Sequence, residues 1–221
     1  MRLLAVVATA PEQAALLRDV PSTPARTGPY AGCRTATTDV VVSGIGPAAA
    51  AAATATALAL STYDLALSLG IAGAFRGTAD IGDTVLATEL VAGDLGADSP
   101  TGFLGLGALG WQDDTVPVDP SWLQAALGRL GEVVTGPVVT VSTVTGTRAR
   151  ADELAARHGA VAEAMEGWGV LVAATAHHVP VVEVRTVSNL IGDRDPSSWD
   201  IHAAFDALAR VGAQLLADPW A

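Results

Sequence analysis

The stretch that decides the fold covers residues 163–195 and reads EAMEGWGVLVAATAHHVPVVEVRTVSNLIGDRD. Its first part, residues 163–178, is rich in alanine and apolar residues and predicts a largely buried helix. The proline at position 180 ends that helix, because a proline has no backbone N–H to donate. The short β-branched run 181–187 then predicts a strand. A buried helix followed directly by a buried strand is typical of an α/β domain.

Polar side chains stand where this helix begins and where this strand ends. Glu166 lies in the opening of the predicted helix, and Ser188 and Asn189 close the strand. Ligands of open α/β sheets bind in the crevice outside the carboxyl ends of the strands. We therefore expect the carboxylate, the hydroxyl and the amide to face one crevice.

Two motifs within the stretch resemble known families. The sequence MEG at 165–167, followed by a small-residue helix, a Val-rich strand and SN at 188–189, resembles the signature of the purine nucleoside phosphorylase and nucleosidase superfamily. The sequence RTVSN at 185–189, ahead of GDRD at 192–195, resembles the closing motif of the futalosine hydrolase family. The resemblance implies a three-layer α/β/α sandwich with a twisted mixed sheet, formed as one domain by residues 1–221.

The resemblance also implies roles for side chains in the stretch. In the superfamily, the pair that matches Met165 and Glu166 grips the ribose, and the residue that matches Asn189 hydrogen-bonds the purine. Adenine nucleosidases carry an Asp there to protonate the base, whereas an amide cannot act as a general acid. A neutral amide suits a 6-oxopurine, so hypoxanthine is the expected leaving group. Asp193 or Asp195 is the alternative source of a proton, although an Asp in such a loop more often stabilises a turn.

Glycine-rich turns add to the predicted binding surface. The sequence SGIGP at 43–47 opens an Ala-rich helix, and GIAGA at 70–74 ends a strand. Both resemble glycine motifs of the superfamily, in which small residues let the backbone approach a ligand. Neither has the spacing of a dinucleotide or Walker loop, so no cofactor is expected. The complete predicted substrate-binding set is Gly46, Ala72, Gly73, Val144, Met165, Glu166 and Ser188.

A second carboxylate comes from the N-terminal segment. Residues 3–7 predict a buried strand, and Thr9 and Pro11 suit the start of a helix that carries Glu12 in its first turn. An acidic residue there also stabilises a helix without any catalytic role. By an ungapped count, Glu12 matches the carboxylate with which nucleosidases of the superfamily activate water. Because a carboxylate repels phosphate and no Arg is close in sequence, hydrolysis is favoured over phosphorolysis.

Composition excludes several other classes of function. The formal charge is −11 and the 12 basic residues are all Arg and do not cluster, so a nucleic-acid partner is not expected. Cys33 is the one cysteine and the 4 His lack ligand spacing, so neither a disulfide nor a metal site is expected. The apolar segments are too short or too polar to span a membrane. A cytoplasmic protein is therefore expected, and the resemblance implies a small nucleoside substrate.

The glycine-rich segment 92–120 leaves a choice between two roles. Its apolar side chains either line the site for the non-purine end of the substrate or bury against a second subunit, and we favour the second, which predicts a homo-oligomer. A nucleoside-binding protein without turnover is a further alternative, since fold does not imply function. The pairing of Glu12 with Glu166 favours an enzyme. The apolar residues of the segment are Phe103, Leu104, Leu106, Leu109 and Trp111.

Overall fold

The structure, a computed structural model, describes residues 1–220, so Ala221 at the end of the predicted domain lies outside the described residues. The helices are α1 (Ala10–Leu16), α2 (Pro47–Leu60), α3 (Pro120–Leu130), α4 (Arg148–His158), α5 (Gly167–Ala176) and α6 (Ile201–Leu216). A short 3-10 helix covers Pro196–Ser198. The strands are β1 (Leu3–Val7), β2 (Thr23–Thr27), β3 (Tyr30–Arg34), β4 (Thr38–Val42), β5 (Leu65–Ala74), β6 (Thr84–Ala92), β7 (Gly96–Ser99), β8 (Gly102–Gly105), β9 (Thr115–Pro117), β10 (Val134–Thr140), β11 (Ala162–Ala164) and β12 (Val181–Leu190).

The main sheet is mixed, in the order β11-β10-β6-β12-β5-β1-β4-β3-β2, with β9 paired to β6. The pairs β1–β4, β1–β5 and β5–β12 are parallel, whereas β12–β6 is antiparallel. Strand β11 pairs with β10 and also with β5, which joins one end of the sheet back to its middle. Helix α2 packs on α5, while α1 and α3 pack on α6, so two groups of helices cover the sheet. The predicted layered α/β fold with a mixed sheet is confirmed.

The predicted helix over 163–178 is wrong at its beginning. Residues Ala162–Ala164 form strand β11, and α5 starts only at Gly167. Hydrogen bonding to β10 and β5 on both sides overrides the helical propensity of the alanines, which is a weak preference. As a result, Met165 and Glu166 occupy a short strand-to-helix connection, and Glu163 belongs to the sheet.

The segment 92–120 is more ordered than a loop. It contains the hairpin β7–β8 and the strand β9. The ring of Phe103 lies under the guanidinium of Arg157 from α4, with 4.3 Å between the ring centroid and the guanidinium carbon. The sequence did not predict α4, which begins at the side-chain cap Thr147 and ends at Gly159 in the left-handed conformation.

Strands β1 and β5 form the centre of the core. All five residues of β1 are buried, as are the first six of β5. Continuous burial on both faces is typical of parallel strands covered by helices on each side. Within residues 1–220, no helix combines the length and the hydropathy that crossing a lipid bilayer requires.

Candidate active site

A cavity of about 310 Å³ opens at the carboxyl ends of β1, β5 and β12, the expected edge of the sheet. The predicted site residues that line it are Glu12, Ala72, Gly73, Val144, Met165, Glu166, Ser188 and Asn189. Gly46 stands directly behind Glu166 and donates its backbone N–H to that carboxylate at 3.1 Å. The structure therefore brings nine of the ten predicted residues together, and Asp193 is the exception.

Glu12 is held at the cavity wall by the start of its own helix. Its Oε2 accepts hydrogen bonds from the Thr9 backbone N–H at 2.9 Å and from the Thr9 hydroxyl at 2.8 Å, while Thr9 Oγ1 accepts from the Glu12 N–H. This reciprocal capping box satisfies donors that a helix start otherwise leaves free. Its Oε1 accepts from the Ile71 backbone N–H at 3.1 Å. Burial raises the pKa of Glu12, and these hydrogen bonds offset only part of the effect.

Glu166 is a buried carboxylate held from two sides. Its Oε1 accepts from the Gly46 N–H, and its Oε2 accepts from Arg185 Nη1 at 3.1 Å. Gly46 caps α2 and Glu166 caps α5, so the starts of two packed helices meet at this carboxylate.

Arg185 is the central residue that sequence reasoning missed. It is fully buried, and its three nitrogens donate to Glu183 Oε1 at 2.9 Å, Glu166 Oε2 at 3.1 Å and Ser68 Oγ at 2.9 Å. Burial would lower the pKa of Arg185, but the charges of Glu183, Glu166 and Glu12 outweigh burial and raise it. Gly70 lies beside this group, and a Cβ there would stand 2.5 Å from Glu12 Oε1 and 2.9 Å from Arg185 Nη1. The signal in the sequence was a charged pair, Glu183 and Arg185, inside the otherwise β-branched run 181–187.

Ser188 and Asn189 form one end of the cavity. The Ser188 hydroxyl donates towards Asn189 Oδ1 at 2.8 Å and the Ala72 carbonyl at 3.1 Å. Because Oδ1 is occupied in this way, Nδ2 is the free donor of the amide. It lies on the side of Gly73, 3.1 Å from where a Cβ would stand. A flat ring over Gly73 would therefore meet an N–H donor.

Glu163 stands on the opposite side of Gly73. Gly73 pairs with Glu163 of β11 and with Asn189 of β12, so the three residues form one row across the sheet. Two strand spacings of about 4.8 Å separate the outer members of such a row, which leaves room for a flat base between them. Both Glu163 oxygens accept from Thr145, the backbone N–H at 2.8 Å and the hydroxyl at 2.5 Å, and burial raises the pKa of Glu163. Sequence reasoning missed Glu163 because it assigned this position to a helix.

Asp193 is not part of the cavity lining. Its side chain is exposed and accepts from the Arg148 backbone N–H at 3.0 Å, where it supports the start of α4. Its role is thus the turn-stabilising one that such residues usually have. The neighbouring Arg194 does line the cavity, and its guanidinium carbon lies 4.9 Å from the centre of the Trp199 ring. Arg76 and Arg148 approach the same loop, each with a guanidinium nitrogen within 3.9 Å of where a Gly192 Cβ would stand.

The apolar residues of segment 92–120 are absent from the cavity lining of the described chain. Leu106 is buried, whereas Trp111 is 69% exposed. Among residues 1–220, no group of three His, Cys, Asp or Glu side chains could hold a metal ion. The polar groups available at this cavity are therefore the buried carboxylates of Glu12, Glu163 and Glu166, the amide of Asn189 and a nearby group of arginines.

Comparison with known proteins places this site in a family. Residues 2–218 match the model of the phosphorylase superfamily. The chain is 48% identical over 186 residues to futalosine hydrolase of Acidothermus cellulolyticus, covering 82% of this chain and 76% of the relative. It is 45% identical over 183 residues to futalosine hydrolase of Streptomyces coelicolor, covering 80% and 77%.

A solved structure gives the same fold. The 5′-methylthioadenosine/S-adenosyl homocysteine nucleosidase of Helicobacter pylori superposes with a TM-score of 0.83 at 19% identity, over 97% of this chain and 96% of that one. At this identity the likeness is one of fold alone. The family match over residues 2–218 and the two futalosine hydrolase relatives establish that the chain belongs to the phosphorylase superfamily, on the branch of the futalosine hydrolases.

Proposed function

We propose that this protein hydrolyses the N-ribosidic bond of futalosine and releases hypoxanthine and dehypoxanthine futalosine, a step of the futalosine route to menaquinone. The observation that carries the proposal is the joint placement of Glu12, Glu166 and Asn189 around one cavity. They supply a base for water, an acceptor for sugar hydroxyls and a neutral contact for a 6-oxopurine. The futalosine hydrolase relatives at 48% and 45% identity support the choice of substrate.

Glu12 is the proposed general base. Its raised pKa makes the ionised carboxylate a stronger proton acceptor than an ordinary glutamate. The Thr9 and Ile71 hydrogen bonds fix both oxygens, so the carboxylate is oriented before water binds. In the reaction, water attacks the anomeric carbon as the bond to the base breaks, and Glu12 takes the proton that water loses.

Glu166 is the proposed sugar contact. An oxocarbenium-like transition state places positive charge on the ribose, and a buried carboxylate near it stabilises that charge. Arg185 and the Gly46 N–H each occupy one oxygen of Glu166, and each oxygen has a further lone pair for a ribose hydroxyl. Met165 also lines the cavity and offers an apolar surface to the sugar ring.

The departing base takes up the electrons of the broken bond. Asn189 Nδ2 can donate to the purine, while Arg194 and the neighbouring Arg76 and Arg148 make the potential at that end more positive. A hypoxanthine anion can therefore leave without protonation by Asp193, whose side chain lies outside the cavity lining and accepts from the Arg148 N–H. This arrangement removes the need for the Asp that adenine nucleosidases carry.

Phosphorolysis is the competing reaction within the superfamily. A phosphate nucleophile would need free cationic or backbone donors beside Glu12. Arg185 is the nearby cation, and its nitrogens are already bonded to Glu183, Glu166 and Ser68. A buried carboxylate at the nucleophile position would also repel phosphate. These contacts favour water.

The proposal also covers the domain organisation, the oligomeric state and the cellular compartment of the protein. We propose one domain over residues 1–221, working as a homo-oligomer in the cytoplasm. The ten-stranded main sheet, which contains both β1 and β12, and the family match over residues 2–218 support the single domain. Exposed apolar side chains support an interface between subunits, among them Trp111 and the cavity-lining Ile45, which are 69% and 64% exposed.

The test is release of free base by the purified protein from futalosine, inosine, aminodeoxyfutalosine and methylthioadenosine, with and without inorganic phosphate. Hypoxanthine from futalosine at a rate independent of phosphate is the expected result. A rate that depends on phosphate would move the protein to the phosphorylases. No release from any nucleoside would leave a binding protein, and preferred release of adenine would contradict the role given to Asn189. The matched control is Glu12→Gln, which keeps the shape of the side chain and removes the base.

A further inference from the structure

Glu183 is a buried acidic residue that the proposed reaction does not use. It lies within β12, is fully buried, and does not line the cavity. Its Oε1 accepts from Arg185 Nε at 2.9 Å, but its Oε2 has no hydrogen-bond partner among the described residues. An unsatisfied buried carboxylate oxygen destabilises a fold, and an apolar side chain of similar size is often the more stable choice. Stability therefore does not explain the presence of Glu183.

Both contacts of Glu183 lead to Glu166. Through the first contact, Glu183 holds the Nε edge of Arg185, whose Nη1 donates to Glu166 Oε2 at 3.1 Å. Through the second, its carboxylate packs against the Cα of Gly167, so closely that any Cβ at position 167 would overlap it. Gly167 is the first residue of α5 and follows Glu166 directly. One side chain thus fixes the partner of Glu166 and also the backbone that carries it.

The rigid guanidinium of Arg185 transmits the position of Glu183 to Glu166. Arg185 is a rigid planar fork whose donors have fixed angles to one another. Glu183 and Ser68 hold two of its nitrogens, which leaves Nη1 pointing at Glu166. Without Glu183, the fully buried Nε of Arg185 has no hydrogen-bond acceptor, and the guanidinium rotates towards another acceptor. Glu166 would then lose the fixed partner of its Oε2.

We propose that Glu183 is a positioning residue, which holds Arg185 and the first turn of α5 so that Glu166 presents its carboxylate to the ribose hydroxyls. This inference rests on the proposed function in one respect, the contact of Glu166 with the sugar. It predicts that Glu183 governs how strongly the site distinguishes a ribonucleoside from its 2′-deoxy counterpart. A residue that served folding alone would change the activity on both substrates equally.

The experiment compares kcat/KM for futalosine and 2′-deoxyfutalosine in Glu183→Leu and Glu183→Gln. The leucine removes both contacts, and we expect the preference for the ribonucleoside to fall roughly tenfold or more, the equivalent of one hydrogen bond to a charged group. The glutamine keeps an acceptor for Arg185 Nε and should retain most of the preference. Thr186→Val is the matched control, since it alters another fully buried side chain of β12 whose oxygen lacks a partner, and it should leave the preference unchanged.

Gly167→Ala tests the same contact from the other side if Glu183→Leu does not fold. Its new methyl group must displace the Glu183 carboxylate, so the same loss of ribose preference is expected. An unchanged preference in Glu183→Leu or Gly167→Ala, with equal losses on both substrates, would overturn the inference. If the wild-type protein cleaves neither nucleoside, the proposed function fails by itself. The ratio of Kd values for the same pair then tests the positioning role in place of kcat/KM.

Discussion

Changing Asn189 to Asp should shift the protein from 6-oxopurines towards 6-aminopurines. Asn189 Oδ1 accepts from the Ser188 hydroxyl at 2.8 Å, and an Asp keeps that acceptor. The change falls on Nδ2, the donor on the Gly73 side of the amide, which becomes an oxygen. Hypoxanthine presents acceptors at O6 and N7, so an ionised Asp would face like groups. Adenine presents a donor at N6, and a protonated Asp can donate to N7.

The size of the shift follows from two hydrogen bonds. Each mismatched pair costs about 1 to 3 kcal/mol, and the lower end applies because Asn189 is only partly buried. The variant loses about 1 kcal/mol on the 6-oxo substrate and gains about as much on the 6-amino substrate, or roughly 30-fold in the ratio of their kcat/KM values. A ratio is insensitive to the fraction of folded protein, which makes it the safest readout.

The assay measures kcat/KM for futalosine and aminodeoxyfutalosine with the wild-type protein and with Asn189→Asp. Asp193→Asn is the matched control, because it makes the reverse change of atoms on a carboxylate bonded to the Arg148 N–H outside the cavity. It should leave the ratio unchanged. A ratio that stays within about threefold of wild type in Asn189→Asp, with an unchanged Tm, would refute the assignment of Asn189 to the base. A collapse of activity in Asp193→Asn would restore that residue as the proton donor.

Three further outcomes are expected. Glu12→Gln should lower kcat by about 100- to 10,000-fold. The wild-type rate should fall as the pH drops through the raised pKa of Glu12, which lies above the ordinary glutamate value of about 4.3. A pH–rate profile checks both expectations, and a loss of rate at acid pH that persists in the variant would exclude Glu12 as its source. Gly70→Ala should lower kcat/KM by about 100-fold, because the added methyl group displaces the side chains of Glu12 and Arg185. The control is Gly128→Ala in α3, which has open space around it and should keep full activity. Equal activities in the two variants would contradict the close packing at Gly70. Burial would raise the pKa of Asp39, but hydrogen bonds from Arg34, Tyr63 and Arg2 lower it below the ordinary value of about 3.9. The ionised side chain therefore stabilises the fold above that pH. This stabilisation is lost as the pH falls through the lower pKa that Asp39 has in the folded protein. Asp39→Asn should therefore lower the free energy of unfolding at neutral pH by about 1 to 2 kcal/mol, an effect that the half-exposed arginines keep small. Urea titrations at pH 7 and pH 3 check this. If the wild type and the variant differ in free energy of unfolding by the same amount at both pH values, the linkage is disproved.

Local sequence signals were sufficient for much of this site. Thr9, Pro11 and Glu12 follow the rules of helix starts, so the place of Glu12 beyond β1 was predictable and the capping box confirms it. The β-branched run of β12 likewise predicted where Ser188 and Asn189 would lie. In both cases the geometry depends on a few adjacent residues.

The parts that sequence reasoning missed depend on contacts between distant segments. Strand β11 has only three residues, and pairing with β10 and β5 creates it, so Glu163 could not be recognised as a wall of the cavity. Arg185 binds Ser68 from a strand 117 positions earlier in the chain. A single sequence gives no record of such pairings, and an Ala-rich run favours a helix until a sheet edge captures it.

The capping box of α1 also limits how this protein can change over evolutionary time. Glu12 both completes the capping box of α1 and serves as the proposed base, and its Oε2 accepts hydrogen bonds from the Thr9 N–H and from the Thr9 hydroxyl. Replacing it removes the Glu12 half of the capping box, and the loss of such a hydrogen bond costs about 0.5 to 1.5 kcal/mol of stability. A descendant that abandoned catalysis would therefore still be under selection for Glu or Gln at this position. Retention of that residue in a distant homologue is thus weak grounds for inferring activity, whereas loss of it would mark a site that had been rebuilt.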